Sequence, residues 1–370
     1  MSEPGQRPPG GGATSRLTSI VEGAEPERIG AWLARLLHDP AWRECSVSLI
    51  AGGKSNLTYL VGSRAGELVF RRPPLGHVLP TAHDMAREHR VISALGRTAF
   101  PVPRTLLYSA ADDNPLGVQC YAMERVVGHI CRDGFPPGYA EAPEQCRAIA
   151  AALVDALADL HSTDPAAIGL ADFGRPEGFM DRQLKLWSKQ WERSKTDELP
   201  ALDALRDELV RTKPERFPAS LVHGDFRLDN CVLHPARPGT IVAVLDWEMS
   251  TLGNPLADFA AMLAYWADPD EDERLAAAQI VPPLTRRAGF LNRRELIERY
   301  ARRSGLDLSR IDWYLAFAYF KLAVICQGIA ARAAGGAMLG SGFDDAQRLV
   351  ELQVRAGLHV LARPLFAEAA

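Results

Sequence analysis

Leu221-Val-His-Gly-Asp-Phe-Arg-Leu-Asp-Asn230 is followed after a short interval by Val244-Leu-Asp-Trp-Glu248. The first stretch puts Asp225 and Asn230 five residues apart on one loop, and the second ends a short apolar run at Asp246. Phosphoryl transfer from ATP uses this set of groups. One carboxylate orients the attacking hydroxyl, while an Asn and a second carboxylate hold Mg²⁺ against the nucleotide phosphates. Taken singly, a His-Gly-Asp is often only a turn, and an Asp after a strand is often a helix cap. The two together, with the Asp-to-Asn interval intact, point to the chemistry.

Working outward, residues 221–223, 231–234 and 241–245 read as strands around this loop. Helical patterns precede them at 144–162, 179–192 and 199–212, and helices return from 255 onward, including a nearly all-apolar one at 313–331. Nearer the N-terminus, residues 26–38 carry Ile29, Trp32, Leu33 and Leu36 on one helical face. Strand candidates follow at 47–50, in the 51–60 segment and at 66–71. Ala51-Gly-Gly-Lys-Ser55 forms a glycine turn between the first two, and its backbone N–H groups, with Lys54 and Ser55, suit phosphate oxygens as well as a plain hairpin. Residues 82–96 read as a helix that Gly96 stops. Two more strands are expected at 105–109 and 118–123.

The order of His223-Gly-Asp-Phe-Arg-Leu-Asp-Asn230, Leu245-Asp-Trp-Glu248 and Gly253-Asn-Pro-Leu-Ala-Asp258 resembles the aminoglycoside phosphotransferase and choline kinase-like family, over roughly residues 25 to 340. Within it, the chain is similar to the branch found alone in bacteria and fused to acyl-CoA dehydrogenases in animals. The resemblance implies an α+β, two-lobed protein-kinase-like fold. Residues 1–24 would be a disordered tail, 25–123 the small lobe with its nucleotide-binding sheet and helix, 124–128 the hinge, and 129–370 the larger, mainly helical lobe.

It also implies site roles. Asp225 would align the acceptor hydroxyl, and Asn230 and Asp246 would hold Mg²⁺. Arg227 would contact the transferring phosphate or brace the loop. Arg71 stands where the family carries a strand lysine that touches phosphates, and Glu88 where it carries that cation's partner. Arg72 points to the other strand face, as an alternative to Arg71. Met123, Glu124 and Val126 fall in the hinge that meets the adenine edge. Asp258 would steady the loop through backbone N–H groups. His161 has a counterpart in similar family members but reads as a packing residue. Glu248 either reaches metal through water or stabilises its loop.

Bulk properties bound the rest. The chain has 370 residues, 47% hydrophobic and 24% charged, with a net charge of −4, which gives no reason to expect a nucleic-acid partner. The 313–331 run is broken by Lys321 and Gln327 and fits a buried core helix better than a membrane span. Six scattered cysteines without a CxxC fit reduced thiols in a cytoplasm. Cys231, beside Asn230, reads as a small buried hydrophobe, with inhibitory alkylation as the alternative.

Residues 281–370 hold 13 lysines and arginines against 8 aspartates and glutamates, a tilt toward an anionic acceptor such as a hydroxyacyl-CoA. The alternatives are an aminoglycoside acceptor and, from another class, a nucleotide-binding pseudokinase or scaffold. A protein kinase is disfavoured, because Gly253-Asn-Pro255 comes almost at once after Asp246 and leaves little room for an activation segment. Oligomeric state is not legible.

Overall fold

The computed structural model describes residues 23–50, 56–75, 84–215, 219–334 and 346–365. Lys54 and Ser55 lie outside the described residues, as does the expected tail apart from its last two positions.

The first lobe is a five-stranded antiparallel sheet flanked by helices. Its strands are β1 (Ser46–Leu49), β2 (Leu57–Ser63), β3 (Gly66–Arg72), β4 (Thr105–Ser109) and β5 (Cys120–Glu124), in the order β1-β2-β3-β5-β4. Side chains alternate across β3. Leu68 and Phe70 are buried toward α1 (Pro26–Leu36), where Trp32 meets Phe70 edge to face with centroids 6.1 Å apart. Val69 and Arg71 therefore fall on the opposite face, where both line a cleft with Thr58 and Leu60 of β2. Arg72 returns to the α1 side and donates to the Gly23 carbonyl at 2.7 Å, which leaves the cleft to Arg71. Helix α2 (Met85–Leu95) starts at an Asp84 cap that accepts from the Arg87 N–H at 3.0 Å, and it packs on β4 and β5 with Glu88 buried.

The second lobe is mostly helical: α3 (Pro143–Ser162), α4 (Phe179–Ser194), α5 (Pro200–Arg211), α6 (Pro255–Ala264), α7 (Glu273–Ala277), α8 (Arg293–Ser304), α9 (Ile311–Ala334) and α10 (Ala346–Ala362). Helix α9 is apolar nearly all round, as a helix buried on every side must be. It packs against α10, α6, α4 and α5. Among the described residues it is the one helix long and apolar enough to cross a membrane, but most of its apolar stretch is core. Two small ribbons sit between the lobes. In one, β6 (His129–Ile130), β8 (Cys231–Leu233) and β9 (Ile241–Val244) pair side by side; in the other, β7 (Ser220–Val222) pairs with β10 (Thr251–Gly253). Neither β6 nor β10 is foreseen by the sequence pattern, because two- and three-residue strands are too short to show a period. These ribbons hold the 223–230 and 245–250 loops next to each other.

Candidate active site

Past β7 the chain turns at Gly224 with φ +88. A Cβ there would stand 2.7 Å from both the Cβ and the carbonyl oxygen of Met249, so only glycine fits between the two loops. The turn presents the N–H groups of His223 and Gly224 to one carboxylate, Asp258 in the first turn of α6, at 2.7 and 2.9 Å. His161 at the end of α3 pairs its Nε2 with Asp258 at 3.2 Å, and its Nδ1 lies 2.6 Å from the Tyr300 hydroxyl. Burial opposes the charge on Asp258, but the His161 hydrogen bond and the neighbouring His223 outweigh it and hold the carboxyl below the ordinary aspartate value. Asp258 is thus the loop anchor that the motif implies. His161 is a packing histidine that also anchors the anchor.

Asp225 sits beyond this turn. Asn230 Nδ2 donates to its carbonyl at 2.8 Å and to Oδ2 at 3.1 Å, which closes the five-residue interval into one unit. Arg227 Nε reaches Asp225 at 3.3 Å and Asp229 at 3.2 Å, and its guanidinium lies 5.1 Å from the Tyr265 ring centroid. These contacts make Arg227 a brace of the loop. Burial pushes the Asp225 carboxyl up, while Arg227, His223 and Lys321 pull the other way.

On the adjacent loop Asp246 adopts a left-handed backbone, φ 66 and ψ 62, uncommon for any residue but glycine. Arg71 links the lobes here. Its Nη1 lies 2.7 Å from Glu88, as the resemblance implies, and its Nη2 lies 3.5 Å from Asp246. Burial pushes the Glu88 carboxyl up against the pull of Arg71. Glu248 accepts from the Asn56 amide at 3.2 Å, a second link between lobes that fits a loop stabiliser.

Two cavities flank the Asp225–Asn230 unit. One, of about 510 Å³, is lined by Met123, Glu124, Val126, Arg71, Asn230 and Asp246, so four separate stretches of the chain meet there. Glu88 stands behind Arg71. The other, of about 280 Å³, has Asp225 on its wall and is otherwise largely apolar, with Phe179, Trp187, Tyr265 and Phe317. It also receives Lys321, which the sequence offers only as a break in an apolar run. The signal was there in outline: Phe317, Lys321 and Ile325 are spaced four apart and so share a helix face.

The charge tilt of residues 281–370 does not face this cavity. Arg299 and Arg303 pair with Asp155 and Asp159 of α3, and Arg294 and Arg355 with carboxylates one turn away on their own helices. Arg293 is buried between Asp268 and Glu271. Lys321 alone of the 13 lines the cavity. Cys231 is fully buried and its thiol is pushed well up, which agrees with the packing role and makes it a poor nucleophile.

Residues 46–291 match the model of the phosphotransferase enzyme family. The chain is 38% identical over 290 residues to acyl-CoA dehydrogenase family member 11 of Rattus norvegicus, covering 78% of this chain and 36% of that protein. It is 35% identical over 303 residues to family member 10 of Mus musculus, covering 81% and 28%. It thus spans about a third of the length of these relatives. A protein of Ralstonia eutropha assigned as an aminoglycoside phosphotransferase superposes with a TM-score of 0.73 at 31% identity, over 90% of this chain and 98% of that one. Choline kinase from Cryptosporidium parvum shares the fold, with a TM-score of 0.58 at 14% identity over 90% and 94%. This chain belongs to the phosphotransferase enzyme family and has the two-lobed, protein-kinase-like fold.

Proposed function

We propose that the protein transfers the γ-phosphoryl group of Mg·ATP to a hydroxyl of a small anionic or acyl-bearing molecule. The observation that carries this is the junction at Asp225. Its carboxylate lines the smaller cavity, while Asn230, hydrogen-bonded to it, lines the larger one beside Asp246. A nucleotide in the larger cavity, with its base toward Met123, Glu124 and Val126, brings its phosphates toward Asp225. An acceptor in the smaller cavity presents its hydroxyl from the other side.

The donor set suits Mg²⁺, which takes few protein oxygens and keeps phosphate and water oxygens as its other ligands. Asn230 spends its Nδ2 on Asp225, which leaves its amide oxygen, and Asp246 contributes a part-exposed carboxylate. When bound, the ion supplies charge neutralisation on the β- and γ-phosphate oxygens. Asp225 accepts a hydrogen bond from the acceptor hydroxyl and aims its lone pair at the γ-phosphorus. Arg227 and Asn230 hold Asp225 in that orientation. Arg71, fixed by Glu88, offers its fork to phosphate in the role a lysine fills elsewhere in the family.

The acyl-CoA dehydrogenase relatives carry the matching segment within a longer chain. That supports a hydroxyacyl-CoA, or the hydroxy acid it derives from, as the acceptor class. Aminoglycosides are polycations and need several free carboxylates. Of the two carboxylates on the smaller cavity, Asp258 is already committed to His223, Gly224 and His161. The test is ADP release from Mg·ATP with hydroxy acids, 3- and 4-hydroxyacyl-CoAs and kanamycin. A hydroxy acid or its CoA thioester is expected to stimulate release. Asp225→Asn should cost at least about 10²-fold in turnover, the usual range for a positioned acid–base group, with nucleotide affinity retained. Wild-type turnover in that variant would reject the assignment of Asp225, and stimulation by kanamycin alone would reject the acceptor class.

A further inference from the structure

Resting on the kinase reading above, we infer that Lys321 selects the acceptor by binding an oxygen of its acyl group, a carboxylate or a thioester carbonyl, while the hydroxyl lies on Asp225. Lys321 projects from α9 into the smaller cavity, with Nζ 5.5 Å from the Trp187 ring centroid. Among the described residues no carboxylate lies within ion-pairing distance of it. Asp225 and Asp258 are the carboxylates whose charge still reaches it. An ammonium group set among Phe317, Leu322, Ile325 and Trp187 is costly to desolvate unless something there uses it. Burial accordingly draws the lysine below its ordinary value, with the two aspartates resisting.

The other polar groups on the cavity wall point the same way. Gln183 accepts from the Trp187 indole N–H at 3.1 Å, so its amide NH₂ is what it can still offer. Asn254 is occupied, donating to the Tyr314 hydroxyl at 3.0 Å and capping α6 with its oxygen. Away from Asp225 the cavity therefore offers donors, Lys321 and Gln183, within aromatic and aliphatic walls. That combination recognises an oxygen acceptor on an apolar chain and disfavours a cation. A volume of about 280 Å³ admits the acyl end of such a molecule, with any larger carrier remaining outside.

The experiment compares three probes of matched chain length on the full-length protein: medium-chain acids hydroxylated at carbon 2, 3 or 4, their methyl esters, and carbinols that lack any carbonyl. Binding is read by isothermal titration with Mg·AMPPNP present, and transfer by ADP release with Mg·ATP. The proteins are wild type, Lys321→Met, which keeps the stem and removes the charge, and Lys321→Arg. Melting temperature and Mg·AMPPNP affinity serve as folding controls.

The acid should bind about 10- to 100-fold more tightly than the carbinol, the usual worth of a hydrogen bond to a charged group. That advantage should vanish in Lys321→Met, as a KM effect, and return in large part in Lys321→Arg. An ester that matches the acid and also depends on Lys321 identifies a carbonyl, hence a thioester, as the group bound. Equal affinity for acid, ester and carbinol, or a preference for the acid untouched in Lys321→Met, would overturn the inference. Lys321-dependent binding with no ADP release from any probe would uphold it while sinking the transfer reading. Should Lys321→Met not fold, Lys321→Gln replaces it as the uncharged variant, and a preference for the acid untouched in Lys321→Gln overturns the inference.

Discussion

Replacing Arg71 by Met removes a cation from a site where its partner cannot reach water. Glu88 is 1% exposed and Arg71 8%, and the pair stands at 2.7 Å. The net worth of such a pair is small, because desolvating two ions offsets most of their attraction, but removing one partner strands the other and costs about 3–5 kcal/mol. Stability for a domain is typically about 5–15 kcal/mol, so the loss is about a fifth of it or more. In Arg71→Met, Glu88 escapes by keeping its proton, since burial already raises its carboxyl even with Arg71 present.

The sign follows. A carboxyl whose folded pKa lies above its unfolded value makes the folded state bind more protons, so stability falls as pH rises from about 4.3, the unfolded glutamate value, to the raised pKa, and is flat beyond. The variant should lie nearer wild type at pH 5 than at pH 8. Arg71→Met/Glu88→Gln, with no buried charge, should recover about 2 kcal/mol or more of the loss. Urea unfolding of the three proteins at both pH values, with the slope unchanged, reads these differences directly. A loss under about 1 kcal/mol in Arg71→Met at pH 8, or a double variant no more stable than Arg71→Met, would refute the reasoning.

Three further expectations follow from the site. Asp246→Ala should abolish the Mg²⁺ dependence of nucleotide affinity, and titrations that still respond to Mg²⁺ would count against its role as a ligand. Asp258→Ala leaves the buried His223 N–H without an acceptor, at about 1–3 kcal/mol, and the part-buried Gly224 N–H at less. Because the Asp258 carboxyl is held below its ordinary value, its contribution is present above about pH 3.9 and lost as pH falls through the lowered pKa. The gap between wild type and Asp258→Ala in urea should therefore be full at pH 7 and shrink in strong acid; a gap that widens there would contradict it. Cys231 should resist iodoacetamide in the native protein and react after unfolding, as read by peptide mass, and rapid native labelling would show its burial to be wrong.

Several elements were legible because their signals are local. The 26–38 and 144–162 patterns became α1 and α3 within a few residues, and β4 matched its expected bounds. The Arg71–Glu88 pair was foreseen through the family resemblance, which implies a strand cation and a helix carboxylate at these positions. The charge count over residues 281–370 misled. Ion pairs across helices 144 residues apart, such as Arg299 with Asp155, are invisible to a window that holds only one partner.

The chain's own order of residues determined the geometry of the Asp225 loop. Asp225, Arg227 and Asn230 lie within six positions on one loop, so few backbone paths separate them from the geometry they adopt, and Gly224 narrows those paths further. The wall of the smaller cavity was decided only by tertiary structure. Trp187 of α4, Tyr265 after α6 and Lys321 of α9 come together because three helices bury apolar faces against one another. Hydrophobic burial is non-directional: it drives the packing without dictating which residue on an all-apolar helix will face a cavity. That is why Lys321, a mere interruption in the sequence, became the one cation on the smaller cavity's wall among the described residues.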